Sequence, residues 1–375
     1  MTDATPQPPR VIGLLKVKNE WPLVAVTLMH ALRNHVDAVF VLDHGSTDGT
    51  AAGLAALQAS PLGDRIHVVR FDEEAFIEEA LMNALVEVCQ ASAPDWIYPF
   101  DADEFLLAPG GLKALLASLP DQVLAVHYQL ENWISTPDFD DSDLDGYLNL
   151  QIRSLPDLPM PPVMEPAMVQ AIAEGRTNYF RQPFGSKVIF RNTTTAWLRA
   201  GAHGLRHFIR ERSLLAHRSR LRAAHLPLLS RARLARKAAH GYRNRLDGCP
   251  PTFGWQNQML HDLEQLGQLD AFWSRHSLDP GHAFSAAQLR DPAVAGGSSG
   301  EAEHAVTSDE LHICRDPSLA MALAPCIAHL RALALDPQAT PLPRGASERV
   351  SLPLPADLYR LALRASSSRP SESAT

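Results

Sequence analysis

Residues 96–105 read Trp-Ile-Tyr-Pro-Phe-Asp-Ala-Asp-Glu-Phe, an apolar run followed at once by a group of acids. The apolar part fits a buried strand, because strands that are covered on both faces have nearly continuous apolar sequences. Asp101 and Asp103 then stand two residues apart where this strand ends. Two carboxylates at this spacing can approach one divalent cation beside the oxygens of a phosphate ligand. The stretch therefore predicts a metal site at the end of a buried strand, although a solvated acidic turn is the plainer interpretation.

Three further apolar runs precede this strand and are separated from one another by helical patterns. They are Val11–Val17, Val36–Leu42 and Arg65–Arg70. A repeated strand–helix order predicts a mostly parallel sheet with helices on both faces. Ligands of such sheets bind outside the carboxyl ends of the strands. Asp43, which ends the second run, and Asp101 are both expected at that edge, so the sequence predicts an α/β fold with its ligand site there.

Composition restricts the class of function. The chain has 375 residues, of which 46% are hydrophobic and 20% charged, as in ordinary globular proteins. A net charge of -8 disfavours general nucleic-acid binding. The four cysteines form no metal-binding pattern, which predicts a reducing compartment without structural zinc. No signal peptide or apolar run of about 18 residues is seen, so we expect a cytoplasmic protein, with association at the cytoplasmic face of a membrane left open.

Several blocks of the sequence resemble family 2 glycosyltransferases, which have the GT-A fold. They are residues 18–20, Lys-Asn-Glu; residues 39–50, with Asp43 and Gly45-Ser46-Thr47-Asp48-Gly49-Thr50; and residues 100–105, Phe-Asp-Ala-Asp-Glu-Phe. The last block is closest to the subgroup whose metal motif reads Asp-x-Asp-Glu-Phe. The ordered match covers roughly residues 10–106. Residues 185–191 and 201–203 are similar to later blocks of that subgroup.

The resemblance implies a GT-A domain, and the helical pattern of residues 254–276 predicts a mainly helical C-terminal region after it. It implies an enzyme that moves a sugar from a nucleotide-diphosphate donor, a UDP-sugar in the first instance, to a glycan, lipid or other acceptor. It also implies inversion of the anomeric centre and a divalent metal, Mn²⁺ or Mg²⁺. His44 stands where the family more often has Asn, Asp or Gly, which leaves the nucleotide base open.

The same resemblance implies roles for individual residues. Asp43 would contact the base of the donor. The implied nucleotide-binding residues are Lys18, Glu20, Asp43, Ser46 and Asp101. The implied metal ligands are Asp101, Asp103 and His203, although one histidine among sixteen near a strand end is more often a surface residue.

Strand alternation suggests Glu131 as the base that deprotonates the acceptor. In residues 123–130 the even positions are mostly apolar and should face the core, whereas the odd positions become polar toward Glu131. An inverting transfer needs a carboxylate or imidazole within hydrogen-bond reach of the acceptor hydroxyl. The solvated end of a strand is the structural alternative for Glu131. Glu165 and the acidic loop at 138–145 are rivals for the catalytic role.

Thirteen Arg or Lys against one Glu occur between Arg199 and Arg245, mostly in helical patterns. This Arg-rich segment is either a solvated helix face or a site for a pyrophosphate, an anionic acceptor or a phospholipid surface. Two further readings of the acidic and His motifs are disfavoured. The acidic loop has Ile152 where a calcium loop needs Glu, and His203 with His207 lacks the rest of a zinc motif.

Two other functions compete with sugar transfer. A protein of the same fold that binds nucleotide sugars without turnover has the same sequence features. A haloacid-dehalogenase-like phosphatase also places an Asp-x-Asp motif after a strand, but near the start of its domain and not after three strand–helix units. The sequence is expected to divide into a disordered N-terminus at 1–9, the GT-A domain at 10–250, a helical extension at 251–295, a poorly defined region at 296–365 and a disordered tail at 366–375.

Overall fold

The computed structural model describes residues 7–71, 78–158, 164–193, 196–207, 216–246, 254–278 and 311–333. Its strands are β1 (Val11–Val17), β2 (Ala38–Asp43), β3 (Ile66–Arg70), β4 (Trp96–Phe100), β5 (Glu104–Leu107), β6 (Ala125–Ile134), β7 (Ile152–Ser154), β8 (Lys187–Arg191), β9 (Ala196–Leu198), β10 (Leu205–His207), β11 (Ala216–His225) and β12 (Ile313–Arg315). Its α-helices are α1 (Leu23–Asn34), α2 (Thr50–Gln58), α3 (Glu78–Gln90), α4 (Leu112–Ala117), α5 (Pro166–Ala173), α6 (Arg231–Leu246), α7 (Trp255–Gln265), α8 (Leu269–His276) and α9 (Ser318–Ala332).

Ten strands form one mixed sheet. The main order is β12-β7-β6-β8-β4-β1-β2-β3, and β11 lies beside β6 and also pairs with β5. The neighbours β4, β1, β2 and β3 are all parallel. Strand β8 is antiparallel to both β4 and β6. Strand β7 is antiparallel to β6, and β12 is antiparallel to β7. The predicted α/β fold, with a parallel sheet formed by the first strand–helix units, is confirmed.

Alternate residues of β1 enter two different cores, which explains its continuous apolar sequence. Val11 and Leu15 pack in the core that contains α1. Ile12 and Leu14 pack in the core that contains α3. All four side chains are fully buried. The central strand is therefore covered by helices on both faces, as its lack of polar alternation predicts.

The C-terminal part of the described chain belongs to the same core as the sheet. β12 pairs with β7, and Leu319, Leu323 and Ile327 of α9 share a core with α1. A separate core joins α6, α7 and α8 to the end of β6. Residues 311–333 thus have a defined structure within the region 296–365, which the sequence left poorly defined. The predicted disorder at 1–6 and 366–375 lies outside the described residues.

One local prediction is wrong. The Arg-rich segment was expected to be mostly helical, but Ala216–His225 is strand β11. It pairs with β5 on one side and β6 on the other, and pairing of this kind outweighs local helix preference. Strand β9 ends at Leu198, and Gly201 has φ of 66° in the turn that follows. Across the described residues, no helix is long and apolar enough to cross a bilayer.

Candidate functional site

The candidate site lies where three parallel strands end. Val17 of β1 pairs with Asp43 of β2, and Leu15 of β1 pairs with Phe100 of β4. The loop at 18–20, the turn after Asp43 and the acidic residues after Phe100 therefore leave the sheet side by side. This is the edge at which parallel α/β sheets bind ligands.

Asn19 fixes the first two loops to each other. Its Oδ1 accepts hydrogen bonds from the backbone N–H of Thr47 at 2.7 Å and of Asp48 at 3.3 Å. Its own N–H donates to Ser46 Oγ at 3.0 Å. Thr50 Oγ1 accepts hydrogen bonds from the backbone N–H groups of Glu20 and Trp21, both at 2.9 Å. The polar side chains of the second loop thus hold the first loop in a single arrangement beside the strand ends.

Asp43 is buried at the end of β2, with 1% of its surface exposed. Its Oδ1 accepts from the Ser46 N–H at 3.0 Å, and its Oδ2 lies 3.4 Å from Arg70 Nη1. Burial raises the pKa of Asp43, and the Ser46 hydrogen bonds and Arg70 oppose that shift only in part. Lys18 is half-buried just after β1, and Ser46 is buried. Asp43 and Ser46 are thus joined at the end of β2, and Lys18 follows the neighbouring strand β1.

Asp101 is held by a buried lysine. Lys187 Nζ lies 2.5 Å from Asp101 Oδ2 and 2.7 Å from Glu104 Oε1. The lysine side chain is 2% exposed, whereas that of Asp101 is 51% exposed. Although the Asp101 side chain is half exposed, desolvation by the surrounding protein opposes its ionisation, and Lys187 outweighs this effect and lowers the pKa of Asp101. Burial raises the pKa of Glu104 to about 8, against the attraction of Lys187. Asp101 is therefore an ionised carboxylate that binds the buried Lys187 and is also open to solvent.

Asp103 is buried and paired with two cations from α6. Its Oδ2 accepts from Arg233 Nη2 at 2.9 Å and from Lys237 Nζ at 3.2 Å. Arg233 also binds both carboxylate oxygens of Glu20, at 2.8 and 2.9 Å. Burial would raise the pKa of Asp103, but Lys237 and Arg233 hold it well below the usual range. Glu20 and Asp103, from separate loops, are thus joined through one guanidinium.

His225 brings an imidazole to these acids. Within the described part of the chain, Asp103, Glu104 and His225 form one group whose ligand atoms all lie within 4.8 Å of one another. The strand register pairs His225 with Glu104 on one side and with Asn132 on the other. His225 Nδ1 is 2.8 Å from Asn132 Oδ1, which leaves Nε2 as the nitrogen for a cation.

The protonation state of His225 suits a ligand. Burial lowers its pKa to about 4, against the attraction of Asp103, so the ring is neutral at pH 7. A metal-binding imidazole must be neutral. Two carboxylates and one oriented, neutral imidazole form a donor set that fits a divalent cation.

The structure brings most of the predicted site residues to this edge, with different partners. Asp43, Ser46, Asp101 and Asp103 lie around the strand ends, and Glu20 reaches Asp103 through Arg233. His203 is exposed after β9, and its Nδ1 lies 3.1 Å from the Ser186 carbonyl oxygen. His203 is outside the group of three potential ligands. Its predicted place in the metal shell stays a prediction.

Glu131 lies on the opposite face of its strand from the site. In register, Glu131 pairs with Ala224, whereas the site-facing pair is Asn132 with His225. Successive residues of a strand point to opposite faces. Glu131 is 3.3 Å from Arg153 Nη1 and 3.0 Å from Arg222 Nη1. The structure does not bring Glu131 to the acidic cluster, so the geometry gives no support to its predicted role as the base.

Sequence reasoning missed several residues of the site. They are Glu104, Asn132, Lys187, His225, Arg233 and Lys237. Lys187 lay in a block that was recognised only as a resemblance, and both α6 cations lay in the Arg-rich segment, where nothing distinguished them. His225 ends strand β11. A strand prediction for this segment would have placed His225 at the ligand-binding edge, where polar residues follow the ends of strands.

A comparison with known protein families matches the part of the chain that contains these strand ends. Residues 14–144 match the family model described as Glycosyl transferase family 2. The matched region is roughly a third of the chain and contains Asp43, Asp101 and Asp103. With this match, the sheet and its helices identify the α/β fold as the predicted GT-A kind. No curated protein shows significant sequence similarity to the chain.

The likeness to solved structures is weak, as three examples show. A mannosyltransferase from Pyrobaculum calidifontis, in complex with GDP-Man and Mn²⁺, is 17% identical over 89% of this chain and 84% of its own, with a TM-score of 0.34. Glucosyl-3-phosphoglycerate synthase from Mycobacterium tuberculosis, in complex with Mn²⁺, UDP and glucosyl-3-phosphoglycerate, is 16% identical over 64% and 81%, with a TM-score of 0.30. TarS 1-349 from S. aureus is 11% identical over 49% and 47%, with a TM-score of 0.29, so this chain spans about half its length. These scores are too low to support conclusions about the chain.

Proposed function

We propose that this chain is a family 2 glycosyltransferase that moves a sugar from a nucleoside-diphosphate donor, a UDP-sugar in the first instance, to a hydroxyl of a glycan or lipid-linked acceptor. One observation carries the proposal. The group of Asp103, Glu104 and His225 lies at the carboxyl edge of parallel strands. Both of its acids fall within the region that matches the glycosyltransferase family model.

The donor would occupy the edge between the ends of β1, β2 and β4. Asp43 would accept a hydrogen bond from the base or ribose, because its carboxylate is buried beside the wall formed by β1. Lys18 and Ser46 would complete that wall. Asp101, the exposed carboxylate of the cluster, would face the ribose or diphosphate end of the donor. Glu20 would act through Arg233, which it holds beside Asp103.

A divalent metal would be held by Asp103, Glu104 and His225, with Asp101 beside it. When bound, the metal would neutralise the charge that develops on the leaving diphosphate. An imidazole among the ligands favours Mn²⁺ over Mg²⁺, since Mg²⁺ prefers oxygen ligands and retains its waters. Binding would also release the proton of Glu104, whose pKa is raised in the metal-free protein. His203 is retained as a second candidate histidine.

In the proposed reaction, the acceptor oxygen forms a bond to the anomeric carbon from the face opposite the diphosphate. The bond between that carbon and the phosphate oxygen breaks, and the nucleoside diphosphate leaves with the electron pair. The hydroxyl proton passes to a base on the acceptor side. This inverting course follows the family resemblance. Glu131, the base predicted from sequence, faces away from this space.

A protein that binds nucleotide sugars without turnover is the second candidate. The observation in its favour is that Asp103 is already neutralised by Arg233 and Lys237. A donor-hydrolysis assay separates the two functions, because only an enzyme releases free sugar from a bound nucleotide sugar. Cytoplasmic location and contact with the cytoplasmic face of a membrane through the Arg-rich segment, residues 199–245, complete the proposal. The membrane contact has less support, because Arg222, Arg233 and Arg236 bind carboxylates of the protein itself.

The experiment that tests the proposal is a screen of nucleotide sugars for thermal stabilisation in Mn²⁺, followed by a transfer assay. Only ligands of the native state raise its melting temperature. We expect at least one nucleoside diphosphate and its sugar to stabilise the wild type in Mn²⁺ but not in chelator. Asp103→Asn should lose the metal-dependent part. Stabilisation that is the same in Asp103→Asn and wild type would contradict the proposal.

A further inference from the structure

Of the two cations that contact Asp103, Lys237 is the more weakly held. Its Nζ lies 3.2 Å from Asp103 Oδ2 and 3.1 Å from the carbonyl oxygen of Pro227. Its side chain is 23% exposed. Arg233 is 3% exposed and makes three shorter contacts, two with Glu20 and one with Asp103. Lys237 is therefore the cation that can leave Asp103 while Arg233 stays in place.

A divalent cation would compete with Lys237. The carboxylate that binds Lys237 belongs to the same group as Glu104 and His225. If a metal ion takes that carboxylate, the ammonium of Lys237 loses its anionic partner and keeps the Pro227 carbonyl. The lysine then lies next to the metal with its charge uncompensated. A compact ammonium on a flexible stem suits a phosphate oxygen that approaches the same metal.

We propose that Lys237 binds the diphosphate of the donor, and that its ammonium exchanges Asp103 for a phosphate oxygen when the metal binds. The inference rests on the proposed function and assigns one residue of α6 to the donor. Arg233 has a different role, since its contacts with Glu20 join the loop after β1 to α6. The exchange explains how a carboxylate that is neutralised in the metal-free protein can still serve as a metal ligand.

The test compares Lys237→Met with the wild type in two titrations. Calorimetry measures the affinity for UDP in Mn²⁺, and electron paramagnetic resonance measures the affinity for Mn²⁺ alone. We expect UDP to bind about ten- to a hundredfold more weakly, the usual result of losing a charged hydrogen bond. Mn²⁺ alone should bind more tightly, because its competitor for Asp103 is gone. Lys237→Arg keeps a cation and should recover part of the UDP affinity.

Lys113→Met is the matched control. Lys113 pairs with Asp37 at the amino ends of β1 and β2, away from the site. Both affinities should equal those of the wild type. The inference is overturned if Lys237→Met binds UDP as the wild type does. It is also overturned if UDP and Mn²⁺ affinities fall together, as they would after structural damage. A wild type that binds neither ligand would instead contradict the proposed function.

Discussion

Two networks of ion pairs lie on the two sides of this sheet, and each joins two carboxylates to two basic side chains. The site network consists of Glu20, Asp103, Arg233 and Lys237. The far-side network consists of Glu131, Arg153, Arg222 and Asp316. Both pair carboxylates with basic groups that come from distant parts of the chain. Residue type therefore does not tell which network serves binding.

The surroundings of the two networks differ. The site network lies at strand ends and adjoins Glu104 and His225, whose ligand atoms approach Asp103. In the far-side network both arginines lie over the ring of Trp133, at 5.7 and 5.9 Å from its centroid. Asp316 also accepts a hydrogen bond, at 3.0 Å, from the N–H of Ser318, the first residue of α9. The far-side network fastens the C-terminal segment to the sheet, whereas the site network has an adjacent imidazole and an open edge.

The largest difference is expected in catalysis. Asp103→Asn should lower sugar transfer by roughly a thousandfold, because the metal that stabilises the leaving diphosphate supplies several kcal/mol. Asp316→Asn is the matched change in the far-side network and should transfer sugar at close to the wild-type rate, with lower stability. Initial rates with the best donor in Mn²⁺ measure both. Equal losses in the two variants would remove the distinction between the networks.

Acid should act in different pH ranges on His225, which adjoins the site network, and on Asp316, which belongs to the far-side network. The pKa of His225 is about 4 when folded and 6.5 ordinarily. The unfolded chain therefore binds a proton that the folded chain does not, and the free energy of unfolding falls as pH drops from about 6.5 to about 4. The loss from this residue is at most roughly 3 kcal/mol. Burial opposes ionisation of Asp316, but hydrogen bonds from Ser318 and Arg222 lower its pKa, so its contribution is lost only below about 3.8.

Urea unfolding in chelator between these pH values tests the difference. The free energy of unfolding should depend less steeply on pH in His225→Gln than in the wild type. Asp316→Asn should have the wild-type slope. His30, His35 and His276 have lowered pKa values as well, so some slope remains in every variant. An unchanged slope in His225→Gln would contradict the assignment of a buried, neutral imidazole.

The variant Glu131→Gln distinguishes a stabilising role of Glu131 from a catalytic one. The two arginines lose one charged partner and keep Asp316, and Glu131 is partly exposed, so we expect a loss of about 1–2 kcal/mol in the free energy of unfolding. The rate of transfer should stay near that of the wild type. A fall of about 10²–10⁴-fold, as for loss of a general base, would instead restore the catalytic role predicted from sequence.

The smallest effect is expected at the outer surface of α6. Arg231 pairs with Asp270 and Glu264 and is one-third exposed. Arg231→Glu should change stability by less than about 1 kcal/mol. It should also leave sedimentation with phosphatidylserine vesicles unchanged, because this arginine already binds carboxylates of the protein. If the variant instead loses about 1 kcal/mol of the free energy of binding to these vesicles, which is the usual contribution of a basic residue at an anionic membrane, the membrane contact is supported.

The sequence predicts the parallel half of the fold because its signals are local. Val11–Val17 and Trp96–Phe100 are apolar runs, and each is a buried strand. Asp43 ends one parallel strand and Asp101 directly follows another, so both lie at the carboxyl edge of the sheet, as predicted. Local signals were sufficient there because neighbouring residues of the chain carry both the strand and the acids.

The rest of the site depends on contacts between distant segments. Arg233 meets Glu20 across 213 positions of the chain, and no spacing in the sequence indicates that pair. Alternation along β6 was recognised, but the polar odd positions were assigned to the pocket. The even row, which is apolar up to Leu130, continues to Asn132 and reaches His225. The pairing with β11 that places Asn132 beside His225 is not visible in this alternation, and the catalytic role of Glu131 stays a prediction.

The most direct test of the central claim is pulsed electron paramagnetic resonance of Mn²⁺ bound with UDP. Nitrogen of a coordinated imidazole modulates the manganese signal. We predict this modulation in the wild type, in His203→Gln and in Glu131→Gln, and its loss in His225→Gln. Modulation that persists in His225→Gln, or that is lost in His203→Gln, would contradict the metal site formed by Asp103, Glu104 and His225.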